Sequence, residues 1–124
     1  MIKAVLFVGL GGGIGSILRF LTSVLINKYW THPFPFATFT VNIVGCILIG
    51  LFIGLSERYG VLNGDLKFLL ITGFCGGYTT FSTFSFENLL LYQNGYYFTL
   101  IAYIFLSIVF GLFAVWLGSA ISKL

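Results

Sequence analysis

The side chains in this chain that could do chemistry are neutral hydroxyls, one amide and aromatic rings, all set inside long apolar stretches. The densest cluster is Gly73-Phe74-Cys75-Gly76-Gly77-Tyr78-Thr79-Thr80-Phe81-Ser82-Thr83-Phe84. Two adjacent glycines and two adjacent threonines lie in its middle. Gly is a poor helix former and Thr a middling one, so the run predicts a helix interrupted halfway. Unwound backbone at membrane depth is tolerated where it is buried in protein or lines water, and its carbonyls can coordinate a cation. The other reading is a continuous helix with the threonine hydroxyls bonded back to the preceding turn. Phe81 and Phe84 are three apart and share a helical face. Such a pair either packs or meets lipid, or it turns the partially positive edges of its rings toward a small anion. Weak binding of that kind suits conduction.

The remaining polar positions extend the same chemistry. Asn42 lies in the middle of another apolar run with Thr38 one turn before it. Its amide has two N–H donors, for an interhelical hydrogen bond or for an anion. Ser82 and Thr83 place hydroxyls beside the Phe pair, and Tyr103 and Ser107 form an i, i+4 pair near the C-terminus. Arg19, about a turn from the end of the first apolar run, either snorkels to the interface or holds loop carbonyls or a vestibule. Glu87 follows the Phe pair by one turn, as expected for a pore mouth or a helix-end hydrogen bond. His32 sits beside Pro33 in a polar break and reads as interfacial. No second His, Asp or Glu stands at metal-ligand spacing, so a catalytic metal centre is unsupported and no enzyme is indicated.

The elements that must position these residues are transmembrane helices. Apolar residues make up 59% of the 124, charged residues only 7%, and mean hydropathy is +1.08. An average soluble domain carries about 25% charged residues, and a small globule could not bury so much apolar surface. A helix needs about 20 apolar residues to span a bilayer. Four stretches meet that length: about Ala4 to Ile26, Phe36 to Ser56, Lys67 to Tyr92 and Phe98 to Ser122. The breaks are Asn27 to Pro35, with two prolines that cannot continue a helix, Glu57-Arg58 followed by an Asn63-Gly64-Asp65 turn, and Gln93-Asn94-Gly95. The expectation is one all-α domain over residues 1–124, a multi-pass protein of the lipid bilayer.

Four spans put both termini on one side and gather Tyr29, Trp30, Tyr92, Tyr96 and Tyr97 on the other, as an interfacial aromatic belt. Lys3, Arg58, Lys67 and Lys123 fall on the terminal side and Lys28 opposite, which favours termini in the cytoplasm. The scattered basic residues form no nucleic-acid footprint. Cys46 and Cys75 stand alone in apolar runs and read as small filler. Gly9, Gly11, Gly12, Gly13, Gly15 and Ser16 in the first span, and Gly50, Gly54, Gly111 and Gly118 elsewhere, are expected to let helices pack closely. Four helices enclose little space, so an oligomer is expected, with the polar positions facing a partner.

At this point the motifs resemble a known family. Gly11-Gly12-Gly13-Ile14-Gly15-Ser16-Ile17-Leu18-Arg19-Phe20, Thr38-Phe39-Thr40-Val41-Asn42-Ile43-Val44-Gly45 and the Gly73 to Phe84 run resemble the helix signatures of the Fluc (CrcB) fluoride channels. The resemblance covers all four spans in order. It implies a passive fluoride-selective channel of the bacterial plasma (inner) membrane, built as an antiparallel, dual-topology homodimer with two pores. It further implies a central structural sodium ion held by the backbone carbonyls of Gly76 and Thr79 from both subunits. By the same resemblance Phe81 and Phe84 belong to a phenylalanine box, Asn42 donates to fluoride, and Tyr103 and Ser107 extend a polar track. Gly111 stands where some members carry a hydroxyl.

Two other functions fit a short four-helix chain. A small proton-coupled multidrug exporter needs a carboxylate in its first helix, and none occurs between Lys3 and Asn27. A non-transporting membrane assembly protein predicts no ion flux and no penalty for replacing Asn42 or the Phe pair.

Overall fold

The computed structural model describes residues 1–60, 62 and 64–124, and these are helical with short connections. Asn63, the first residue of the expected Asn63-Gly64-Asp65 turn, lies outside the described residues. Helix α1 covers Ile2–Tyr29 and α2 covers Phe36–Tyr59. The third passage is composite. It opens with α3 (Asp65–Lys67), widens into a π-helical segment (Phe68–Cys75) and closes with α4 (Gly76–Tyr78). Thr79 and Thr80 are extended, and α5 (Phe81–Gln93) resumes the helix. Helix α6 covers Tyr97–Ile121. At 1.5 Å per residue, α1, α2 and α6, with 28, 24 and 25 residues, are long and apolar enough to cross a membrane. The third passage crosses as two half-helices, so four passages fit the chain.

Several boundaries differ from the sequence expectation. Helix α2 runs through Glu57-Arg58, because charged residues with good helix propensity do not stop a helix. It ends at Gly60, whose left-handed φ of 62° closes the last turn with its N–H on the Ser56 carbonyl. A glycine just past the last turn is the usual way to adopt that conformation. Helix α1 likewise carries Asn27 and Lys28 to Tyr29, and the chain becomes extended only at Trp30. The third passage begins two residues before Lys67, at Asp65.

The helices associate as two close pairs, α2 on α6 and α1 on the π-helical segment and α4. In lipid there is little hydrophobic drive between helices, so small residues that let backbones approach do the work. A Cβ on Gly50 would strike the Val115 carbonyl, and one on Gly118 the Ile47 carbonyl. On α1, a Cβ at Gly11 would strike the Leu69 carbonyl and one at Gly15 the Phe74 carbonyl. Not every glycine of the expected set takes part: Gly9 and Gly13 have open space where a side chain would stand. They lie on the face of α1 turned away from the third passage. Beside that open face Leu6, Leu10, Ile17 and Leu21 are exposed, as lipid contact requires. The terminal end is tied by Lys3 Nζ to Asp65 at 2.9 Å and by Arg58 to the Ser122 carbonyl at 3.2 Å.

Candidate functional site

The interruption of the third passage is built by hydrogen bonds that replace those of a helix. Thr80 N–H would bond the Gly76 carbonyl in a continuous helix; it donates instead to Asn42 Oδ1 at 2.8 Å. Asn42 Nδ2 donates back to the Thr80 carbonyl at 3.1 Å, so one amide clamps both backbone groups of Thr80. Thr83 N–H, which would otherwise return to Thr79, donates to Thr80 Oγ1 at 3.2 Å. Thr80 is therefore the N-cap of α5, a role Ser and Thr fill well. Gly76 and Thr79 are left as carbonyls whose helical donors have been taken. Thr79 spends its own hydroxyl on the Cys75 carbonyl at 2.9 Å.

Arg19 serves the same interruption. Its Nε donates to the Gly77 carbonyl at 3.0 Å, placing a cation at the C-terminal end of the helical stretch that stops at Tyr78. Both hydrogen bonding and the helix dipole favour a positive group there. Of the two roles expected for Arg19, the hold on carbonyls is the one this geometry describes; the side chain reaches into the protein where snorkelling would carry it out. Tyr78, buried and stacked on Phe74 at 5.8 Å, lies 3.2 Å from the Thr22 hydroxyl. It ties the half-helix end to the same helix, α1, one turn beyond Arg19.

In front of the interruption lies an open cavity of about 590 Å³, lined by Asn42, Cys46, Cys75, Gly76, Thr79, Thr80, Phe81, Phe84 and Ser107 among others. Phe81 and Phe84 stand 5.8 Å apart, and Phe81 is 78% exposed within the single chain. The cavity joins hydroxyls, one amide and two aromatic rings in a mostly apolar lining that also includes Ile49, Ile71 and Ile108, without a charged side chain. Ser82 and Thr83 sit at the start of α5 outside this lining; Ser82 Oγ lies 3.4 Å from Thr80 Oγ1. Ser107 and Tyr103, paired by spacing, are used apart. Ser107 reaches the cavity, whereas Tyr103 is fully buried behind Phe84, 4.9 Å from its ring.

Tyr103 leads to the carboxylate. Its hydroxyl donates to Glu87 Oε1 at 2.8 Å, and Thr38 Oγ1 donates to Glu87 Oε2 at 2.7 Å. One carboxylate thus joins α2, α5 and α6. Charge-assisted bonds of this kind are about twice as strong as neutral ones, which suits a carboxylate held within apolar helices. Beyond Glu87 opens a second cavity of about 420 Å³, walled by the α1–α2 loop with Trp30, His32 and Phe34 and by Asn94 and Tyr96. Phe34 stands edge-on to Tyr103 at 5.3 Å. A line of rings and hydroxyls therefore runs from the first cavity through Phe84 and Tyr103 to the second.

Two contributors escaped the reading of the sequence. Thr80 looked like half of a breaker pair, yet a threonine directly before a helical run is a good N-cap residue, and it caps α5. Asn88, buried on α5, donates Nδ2 to the Phe84 carbonyl at 3.0 Å and so steadies the turn carrying the ring. A lone amide in an apolar helix was the available sign of it.

The fold and this site define a multi-pass α-helical membrane protein whose third passage is broken beside a largely apolar, uncharged cavity that carries a few hydroxyls and one amide. The family of CrcB-like proteins, described as Camphor Resistance (CrcB), matches residues 6–119. A protein of Flavobacterium psychrophilum named fluoride-specific ion channel FluC is 52% identical over 121 residues, 98% of each chain. Proteins of the same name from Azobacteroides pseudotrichonymphae and Phocaeicola vulgatus are 49% identical over 123 residues and 47% over 121. These cover 99% and 98% of this chain, and 98% and 99% of their own. The chain belongs to the CrcB-like family.

Proposed function

We propose that this protein is a passive, fluoride-selective channel that lets cytoplasmic fluoride leave down its gradient across the bacterial inner membrane. The observation that carries the reading is the cavity at the helix interruption, which Phe81, Phe84, Asn42 and Ser107 line together without a charged side chain. Such a surface can replace part of the hydration shell of a small anion while binding it weakly enough for release. Relatives of nearly equal length that bear the name fluoride-specific ion channel support the choice of ion. Neutral HF crosses membranes and dissociates in a less acidic cytoplasm, so a passive exit suffices and no carboxylate-driven exchange is needed.

The functional unit in this reading is an antiparallel, dual-topology homodimer with two pores. One cavity wall belongs to each subunit, and the inverted copy supplies the other. The carbonyls of Gly76 and Thr79 suit a hard cation such as sodium, since both are neutral oxygens released from helical hydrogen bonding. From two subunits they would hold a structural Na⁺ at the dimer interface. Bound there, the ion would supply positive charge that fixes the two interruptions against each other.

The test is fluoride efflux from proteoliposomes of purified protein, with chloride in parallel. Rapid fluoride loss with chloride retained is the expected outcome. Chloride passing as readily as fluoride, or folded protein that passes neither, would sink the reading.

A further inference from the structure

The loop between α1 and α2 is fastened by two of its own side chains. Phe34 N–H donates to His32 Nδ1 at 3.0 Å, and Trp30 Nε1 donates to the Phe34 carbonyl at 2.7 Å. Both backbone groups of Phe34 are thus held. Its ring in turn stands edge-on to Tyr103, the residue that donates to Glu87. Loop and Glu87 form facing walls of the second cavity. An imidazole accepting at Nδ1 carries its proton on Nε2, whereas an imidazolium donates at both nitrogens and accepts at neither. Protonation of His32 therefore frees the Phe34 N–H, while the Phe34 carbonyl stays held by Trp30 Nε1 and by the Phe36 N–H at 2.8 Å.

We propose that His32 is a positioning residue that latches this loop over the pore mouth and releases it on protonation, raising anion passage in acid. The flux part of the proposal rests on the fluoride-channel reading; the latch itself does not. Two effects point the same way. With its N–H freed, Phe34, still packed on Phe39 at 5.5 Å, braces Tyr103 less firmly, and an imidazolium adds positive charge beside the second cavity, which in this proposal is where the anion enters. The charged and titratable groups around His32 are few. On α1, Lys28 lies over the Tyr29 ring at 5.6 Å. Glu87, from α5, is engaged by Thr38 and Tyr103. Asn94 and Tyr96 lie between α5 and α6, and the first turns of α2 and α6 carry no acid. Among the described residues His32 makes no ion pair.

Planar-bilayer fluoride currents test this, since neutral HF carries none. Histidine ordinarily changes charge between about pH 5 and 8, so currents are compared at about pH 5.5 and 7.5. The unaltered protein should conduct at least about twofold more at the lower pH. His32→Asn keeps an acceptor, because an Asn side chain bonds the backbone N–H two residues on; it should conduct at the lower level at both pH values. His32→Ala, with no acceptor, should conduct at a raised level at both. A pH-independent current in the unaltered protein, a pH-dependent one in His32→Asn, or a His32→Ala current as low as that of His32→Asn overturns the proposal. A second readout needs no flux. In a Trp116→Phe background, Trp30 emission should shift with pH in the histidine range and stay constant in His32→Asn. A constant Trp30 emission in the His32 protein also overturns the latch. If no protein passes fluoride at either pH, the channel reading has failed, and the Trp30 titration decides the latch alone.

Discussion

Glu87, half-buried at the edge of the second cavity, holds three helices together. Its two oxygens accept from Thr38 on α2 and Tyr103 on α6. Removing one donor leaves a desolvated carboxylate oxygen short of a partner, which costs about 1–3 kcal/mol or more for a charged group. Tyr103→Phe keeps the ring against Phe84 and Phe34 and deletes only that donor. Equilibrium unfolding in mixed micelles should show a loss in this range; an unchanged midpoint would mean the hydroxyl adds nothing to the knot. Phe81 presents the opposite case. Its ring is largely exposed within the subunit, so Phe81→Ile should move stability by no more than about 0.5 kcal/mol. Fluoride efflux should nonetheless fall to the level of protein-free vesicles, because an aliphatic side chain has no positive ring edge to offer. Retained efflux would remove the aromatic edge from the mechanism.

At the scale of elements, the interruption of the third passage was visible in the Gly76-Gly77 and Thr79-Thr80 pairs, because local propensity alone disfavours helix there. What fastens it was not visible. The clamp joins Asn42 to a backbone 38 residues away, and Arg19 reaches Gly77 over 58. Neither partner is an amino-acid type, only a main-chain group, so no pattern of side chains announces it. The same limit applied to the glycines of α1. Period and composition marked a small-residue surface but could not say which glycines face the third passage. The structure separates them, and the separation can be measured. Gly15→Ala would drive a Cβ into the Phe74 carbonyl and within 2.8 Å of Tyr78 N. Backbone cannot step aside as a side chain can, and overpacking of this kind costs about 1–3 kcal/mol. Gly13→Ala meets nothing within 4 Å and should stabilise by up to about 1 kcal/mol through helix propensity. Equal destabilisation of both variants would mean that the α1 contact runs along another face.

At the scale of the whole molecule, the single chain leaves a contradiction that a second copy resolves. The cavity lined by Asn42, Gly76, Thr79 and Thr80 is open on the surface of the single subunit. Polar groups facing hydrocarbon are costly, and Gly76 is exposed with empty space before it. In the proposed antiparallel dimer a partner covers this face, and the inverted copy would bring an identical interruption against it. The basic residues press toward one orientation, since Lys3, Arg58, Lys67 and Lys123 lie at the terminal end and Lys28 at the other. An antiparallel dimer requires that this bias be too weak to orient every copy. Lys123→Cys, with Cys46 and Cys75 replaced by alanine, puts one exposed thiol at the terminal end. An impermeant maleimide added to intact spheroplasts should then label roughly half of the molecules, the rest reacting only after lysis. Labelling of none or of all before lysis would mean a single orientation, and the uncovered cavity would then need a parallel partner to close it.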